Sequence, residues 1–256
     1  MSPPRILSIA GSDSCGGAGI QADIKTITML GGYAMTAITA ITAQDTTAVH
    51  AVEALSPAMV AAQIDACTGD IGVDAVKIGM LGSPDIAHLV ADRLEQLAVP
   101  VVFDPVMVAT SGSMLADEAT IAAFERLMAL AVLTTPNVHE LAALGGDAAM
   151  AVRGVAYLAK GGDAEGPEVE DLLIRPGEKD VLWRSPRIAT RHTHGTGCTL
   201  ASAIATGLGR GLDLVEAVEN ARTFVRQALM NAPGFGRGHG PLGHHVTGYN
   251  PTHKSG

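Results

Sequence analysis

Four short segments combine residue types that can bind an anion, hold a divalent cation and move a proton. The richest is His192-Thr193-His194-Gly195-Thr196-Gly197-Cys198-Thr199, set between a short strand-like run and an Ala-rich run. Its glycines leave consecutive backbone N–H groups unobstructed at a helix start, so Gly195, Thr196 and Gly197 can form an anion hole suited to a transferring phosphoryl group. Cys198 falls in the first turn, where the helix dipole lowers a thiol pKa and favours the thiolate; it can then act as a base or a nucleophile. Two other readings stay open. The thiol can be a small packed residue, or His192, His194 and Cys198 can be metal ligands. A zinc site needs further ligands at recognisable spacing, and outside the C-terminal tail no second Cys/His cluster supplies them.

The second segment runs from Gly11 to Asp23, GSDSCGGAGIQAD, after a strand-like run and into a helix-like one. Its glycines let the backbone approach a ligand closely. It is neither GxGxxG nor a Walker loop. Asp23 can accept hydrogen bonds from an amino group, or simply suit the helix dipole. Third, Asp104-Pro105-Val106-Met107 and Thr135-Pro136-Asn137-Val138-His139-Glu140 each follow a strand-like run. Ligands collect at the carboxyl ends of strands in an open α/β sheet, so both would face one crevice. There Asp104 and Glu140 can hold Mg²⁺ directly or through water, or serve as cap and solvated carboxylate. Lys160, just after a run at 155–159, places a lysine at another strand end.

The elements that must position these residues follow from periodicity. Apolar, β-branched runs at 6–10, 35–43, 75–79, 99–104 and 132–135 read as buried parallel strands. Between them, 18–30, 59–71, 85–97, 118–130 and 138–144 carry apolar residues at three- and four-residue spacing and read as crossover helices. Runs at 171–174, 181–183 and 187–189, separated by Pro-Gly and Ser-Pro turns, suggest a short antiparallel edge, and 162–170 reads as a surface loop. Helices at 196–207 and 214–232 close the fold. The expectation is one α/β domain over 1–256, a mostly parallel central sheet flanked by helices on both faces, with a Gly- and His-rich tail from Pro233 whose end is loose.

Composition bounds the partners. The chain carries 17 Lys+Arg against 26 Asp+Glu, a net charge of −9 with neutral histidine, and has no basic stripe that could track a phosphodiester backbone. Nucleic acid is excluded as an expected partner. The longest nearly apolar stretch, 33–43, falls short of the ~20 residues that span a membrane. The N-terminal apolar segment is too short for a secretory signal, so the expected location is the cytoplasm. Cys15, Cys67 and Cys198 lie far apart and fit neither a disulfide framework nor a CxxC site, so they are expected as reduced thiols.

In this order along the chain, IAGSDSCGGAGIQADIKT, ITAITAQDT, KIGMLGS, FDPVMVATSG, TPNVHEL, KGG, RHTHGTGCTLASAIA and GRGHGPLGHH closely resemble the ribokinase-like family of small-molecule kinases, in its hydroxymethylpyrimidine and phosphomethylpyrimidine kinase branch. The resemblance runs from Ile6 to about Leu242. It implies a ribokinase-like fold, ATP and Mg²⁺ as cofactors, a small-molecule substrate and a homodimer. It also implies that the aminopyrimidine lies near Gly11, Ala18, Asp23, Gln44, Met80 and Val106, and that Gly195, Thr196, Gly197 and Cys198 are the catalytic turn. Gln44 suits that role because one carboxamide offers a donor and an acceptor side by side. Lys160 and Asn137, with Thr196, would meet ATP; Glu140 and Asp104 would organise Mg²⁺. Most sugar kinases of the superfamily have Asp where this chain has Cys198, and in this branch the cysteine is taken to activate the hydroxyl. The chain departs from the family pattern between Leu144 and Lys160, where it is shorter. Pyridoxal kinase on the same scaffold, or a ligand-binding regulatory module without turnover, are the alternatives. Residues 109–113, Ala-Thr-Ser-Gly-Ser, are the candidate flap over the pocket.

Overall fold

Nine strands hydrogen-bond into one sheet in the order β3-β2-β1-β4-β5-β6-β7-β8-β9. They are β1 (Arg5–Asp13), β2 (Tyr33–Gln44), β3 (Val49–Ala54), β4 (Ala75–Ile78), β5 (Val101–Phe103), β6 (Leu133–Thr134), β7 (Tyr157–Ala159), β8 (Glu168–Ile174) and β9 (Val181–Pro186). The structure is a computed structural model that describes residues 2–246. In the sheet order from β2 to β7 the strands pair in parallel, and antiparallel pairs close both edges, β2 with β3 at one and β7 with β8 and β8 with β9 at the other.

Successive residues of the parallel strands point to opposite faces, and each face buries its own apolar set. Leu7, Val76, Val101 and Phe103 join one core with α2 (Pro57–Ala66), α3 (Pro84–Leu94) and α4 (Glu118–Leu130). Their neighbours Ile6, Ala75 and Val102 join the other, against α1 (Gly19–Met29), α7 (Thr196–Gly209) and α8 (Leu214–Met230). With so few aromatic rings, the cores are aliphatic; a T-shaped ring pair, Phe103 on Phe124 at 5.1 Å, ties α4 to β5. Among the described residues no helix is long and apolar enough to cross a membrane. All three cysteines are free thiols.

Several expectations change. The sequence reading missed β3, an exposed strand paired to β2 across a turn in which Asp45 Oδ1 accepts from Thr47 N at 2.7 Å and Ala48 N at 3.0 Å. The loop expected over 162–170 is strand from Glu168 onward. No strand forms at 187–189: β9 ends at Pro186, opposite the first residue of β8, leaving no partner strand beyond a single bond from Arg187 N to Pro167 O, 2.8 Å. The shortened segment between Leu144 and Lys160 follows α5 (Val138–Ala143) and holds α6 (Gly146–Arg153) and then β7, so it still delivers Lys160 to the sheet. Where it is described, the Gly/His-rich tail packs on the domain. Gly240 O accepts from His194 N, Leu242 is buried, and buried His244 Nε2 lies 2.9 Å from Thr199 Oγ1. The last residues of that tail, 247–256, lie outside the described residues.

Candidate active site

The parallel strands reverse order between β1 and β4, and the crevice at such a switch point lies beyond the strands' carboxyl ends. A cleft of about 840 Å³ opens there. Every residue the sequence reading singled out for the site lines it, with one exception. Gly11 and Met80 come from β1 and the turn after β4; a Cβ at Gly11 would sit 2.5 Å from Met80 Cε, so the glycine leaves room for that thioether over the strand end. Ala18, Gln44 and Val106 complete this end of the cleft.

The exception is Asp23. It is fully buried beneath the cleft floor, not at its surface, and its oxygens are already committed. Lys77 Nζ lies 3.0 and 2.9 Å from its two oxygens, Ser8 Oγ donates at 2.6 Å and Ser202 Oγ at 2.7 Å. A carboxylate so paired has no position left for a ligand's amino group. The alternation of polar residues in β1 and β4 gave no sign that Ser8 and Lys77 would meet Asp23 inside.

At the other end Gly195, Thr196 and Gly197, the residues expected to form an anion hole, make the turn into α7 (Thr196–Gly209). Gly195 is left-handed, φ 88°, and a Cβ there would collide with the carbonyl of Gly17, so the turn packs directly on the first glycine loop. α7 starts at Thr196, aiming its first N–H groups at the cleft. A Cβ at Gly197 would lie 3.2 Å from Lys160 Nζ and 3.3 Å from Asp104 Oδ2, which places the cation and carboxylate directly across from the hole. Asp104 Oδ1 accepts from Lys160 Nζ at 2.8 Å and from Thr135 Oγ1 at 2.9 Å. Glu140 Oε2 accepts from Asn137 N at 2.8 Å and Asn137 Oδ1 accepts from Glu140 N at 2.8 Å, a capping box at the start of α5. Lys160 Nζ is 3.8 Å from that same Glu140 oxygen.

Electrostatics separate these groups. Burial pushes the Glu140 carboxyl up to about 7; Lys160 pulls it down and Asp104 pushes it up again. Burial acts to lower the Lys160 pKa, but the two carboxylates outweigh it and hold the ammonium charged. Cys198, half-buried on the cleft wall, does not follow the helix-dipole expectation. Enclosure pushes its thiol up to about 11, against the opposing pull of Lys77, so at neutral pH the proton stays on sulfur. The dipole of the first turn is outweighed by desolvation and the nearby Asp23 and Asp104.

Two further cleft residues were not placed as site residues from sequence. His194 Nε2 lies 2.8 Å from Asp13 Oδ2 and 3.1 Å from Gln44 Nε2. Its Nδ1 lies 3.4 Å from Thr110 Oγ1 in the segment expected as a flap, which folds as a tight hairpin with Val108 bridged to Met114. Among the described residues, His192 and Cys198 do not join His194 in a group that could hold a metal.

The profile of the phosphomethylpyrimidine kinase family matches residues 13–243. The chain belongs to that family. Among its relatives, the hydroxymethylpyrimidine/phosphomethylpyrimidine kinase of Rhizobium meliloti is 46% identical over 93% of this chain and 96% of that protein. The Bacillus subtilis kinase of the same name is 42% identical over 95% of this chain and 96% of its own length. Solved structures include a phosphomethylpyrimidine kinase from Clostridium difficile, TM-score 0.74 at 36% identity, over 88% of this chain and 98% of that one. A Staphylococcus aureus pyridoxal kinase in complex with AMP-PCP and pyridoxal gives TM-score 0.86 at 30% identity, over 98% of this chain and 96% of that one. Within the phosphomethylpyrimidine kinase family, then, the cleft is where chemistry on a small molecule is to be sought.

Gln44 tests the apolar end. Gln44→Leu should lower kcat/KM for an aminopyrimidine alcohol by about one to two decades, the cost of ~1–3 kcal/mol for partner groups left unpaired in a closed pocket. Steady-state kinetics that overlay the wild type would remove Gln44 from the site.

Proposed function

We propose that this chain transfers the γ-phosphoryl group of ATP to 4-amino-5-hydroxymethyl-2-methylpyrimidine and then phosphorylates the monophosphate to the diphosphate, as a thiamine-biosynthesis enzyme. The observation that carries the reading is the facing pair across Gly197: an anion-binding turn ending in Cys198 on one side, Lys160 with Asp104 on the other. Phosphoryl transfer asks a protein mainly for positioning and charge stabilisation, and this arrangement supplies both. In this reading Gly11, Ala18, Met80 and Val106 sandwich the flat ring and Gln44 pairs with its edge. The hydroxymethyl oxygen points at Cys198. The N–H groups of Gly195, Thr196 and Gly197 steady the equatorial oxygens as charge shifts, while Lys160 and Asn137 meet the ATP phosphates.

Mg²⁺ fits the residues present, because the buried Glu140 carboxyl is under-compensated and the surrounding donors are hard oxygens. Asp104 Oδ2 and the Glu140 oxygen outside the capping box would hold it, directly or through water. When bound it supplies charge neutralisation between the phosphates. Glu140 ionises through about pH 7, so the Mg²⁺ requirement should fall about tenfold between pH 6 and pH 8 in the wild type. Glu140→Gln should show a higher and flatter requirement; a titration identical to wild type at both pH values would displace Glu140 from the metal site.

Pyridoxal is the second reading, favoured by the close structural match to pyridoxal kinases. The sequence relatives at 41–46% identity favour the pyrimidine. A coupled ADP-release assay with each alcohol decides: the pyrimidine should give the higher kcat/KM, and no turnover of either would leave a ligand-binding module. The continuous sheet supports one kinase unit over the chain. The homodimer and the cytoplasmic location rest on the resemblance and the sequence; sedimentation reads the former.

A further inference from the structure

Beside the ring end of the cleft, Asp13, Cys15 and His194 bring a carboxylate oxygen, a sulfur and an imidazole nitrogen all within 4.8 Å of one another. Two side-chain hydrogen bonds converge on one atom. His194 Nε2 is 2.8 Å and Cys15 Sγ 3.4 Å from Asp13 Oδ2. A tetrahedral cation with bonds of roughly 2.0 Å to N and O and 2.3 Å to S separates its ligand atoms by about 3.3–3.6 Å. The sulfur–oxygen spacing already meets this, and the nitrogen–oxygen spacing needs to open by about half an ångström.

We propose that Asp13, Cys15 and His194 form a site for a divalent cation of the zinc class, and that its occupancy blocks the ring end of the cleft. The cation takes the place of two protons, those of the Cys15 thiol and His194 Nε2, which leave to solvent; no electron transfer is involved. The outer groups are already placed. Gly17 N and Ala18 N donate to Asp13 Oδ2 at 2.9 and 2.8 Å and hold the carboxylate. Thr110 Oγ1, 3.4 Å from Nδ1, can accept the proton that remains on a neutral imidazole and so present Nε2 to the metal. A bond from His194 N to Gly240 O fixes the histidine backbone. Thiolate with imidazole selects zinc-class ions over Mg²⁺, so this site and the hard-oxygen site around Glu140 discriminate by ligand chemistry. Three protein ligands leave the fourth position open to water. Gln44 sits 3.1 Å from His194 Nε2, so the metal would occupy the place that orders the ring-reading carboxamide. This blocking rests on the proposed position of the ring; the site itself does not.

Co²⁺ titrated into the full chain without nucleotide tests the site independently of activity. The expected result is a near-ultraviolet thiolate-to-cobalt charge-transfer band saturating at one ion per chain and abolished by Zn²⁺. Cys15→Ser, a near-isosteric change, should lose the band, while Cys67→Ser keeps it. Losing an outer-shell partner alone weakens metal sites about 10–100-fold, so loss of the sulfur should raise the Zn²⁺ concentration for half-inhibition by at least about tenfold. With Mg²⁺ and ATP saturating, Zn²⁺ inhibition of the wild type should be competitive with the alcohol. No thiolate band, or one that survives in Cys15→Ser, overturns the site. A Cys15-dependent band with inhibition that excess alcohol does not relieve overturns the blocking.

Discussion

Replacing Cys198 with Ala should lower kcat by roughly 10²–10⁴, the usual worth of general-base assistance, with the KM for ATP little changed. Bonding of the alcohol oxygen to phosphorus requires loss of its proton, and in the proposed reaction the sulfur at the start of α7, which lines the cleft, accepts it. Because enclosure raises that thiol to about 11, the free enzyme holds little thiolate at neutral pH, but each thiolate formed is a strong base. The sign of the pH dependence follows: the deprotonated form is the active one, so kcat should still be climbing above pH 8 in the wild type. Cys198→Asp, which places a carboxylate there as in the sugar-kinase relatives, should keep part of the rate and lose that alkaline rise. Single-turnover transfer with saturating ATP is the measurement. A Cys198→Ala rate within about threefold of wild type would make the thiol a packed bystander.

Asp23→Ala should act on stability rather than on substrate affinity, and by a large amount. Asp23 and Lys77 are both fully buried and within 3.0 Å of each other. Removing one member of a buried pair leaves an uncompensated charge and costs about 3–5 kcal/mol. For a chain of this size that is roughly a 10 °C fall in Tm. Burial by itself lowers the Lys77 pKa, and Asp23 is the first of the groups that hold the ammonium charged. Asp23→Leu combined with Lys77→Met should recover much of the loss, since no charge is then stranded. Thermal and urea unfolding give the answer. Wild-type stability with a raised KM for the alcohol would return Asp23 to the ligand.

The two residues illustrate a general division in this molecule. The segments carrying chemistry were legible because they are local: a glycine turn before a helix, a carboxylate or lysine just past a strand. Each such motif fixes its own backbone, and the rule that ligands gather at carboxyl strand ends then puts Gly11, Met80, Asp104, Asn137, Lys160 and the Gly195–Cys198 turn around one cleft. The parallel core strands were legible for the same reason, since burial on both faces makes them continuously apolar. Edge strand β3 was not, because it is exposed along almost its whole length and so leaves no buried face to mark a strand period in the sequence.

What only the tertiary structure decided is how much water and which charges each polar group keeps. From the sequence, Asp23 and Cys198 are each expected near a helix start, where the dipole argues for a ligand contact and a thiolate; in the fold Asp23 lies beyond the first turn of α1. The sequence does not show that Lys77, fifty-four positions from Asp23, would claim the carboxylate, or that enclosure would outweigh the dipole at the thiol. It pairs His194 with its neighbours His192 and Cys198, whereas the fold carries it to Asp13, one hundred and eighty-one positions away. Helix and strand formation depend on nearest neighbours along the chain. Desolvation and Coulomb interaction depend on distance in space, and that distance exists only once the two glycine loops and the sheet have closed on one another.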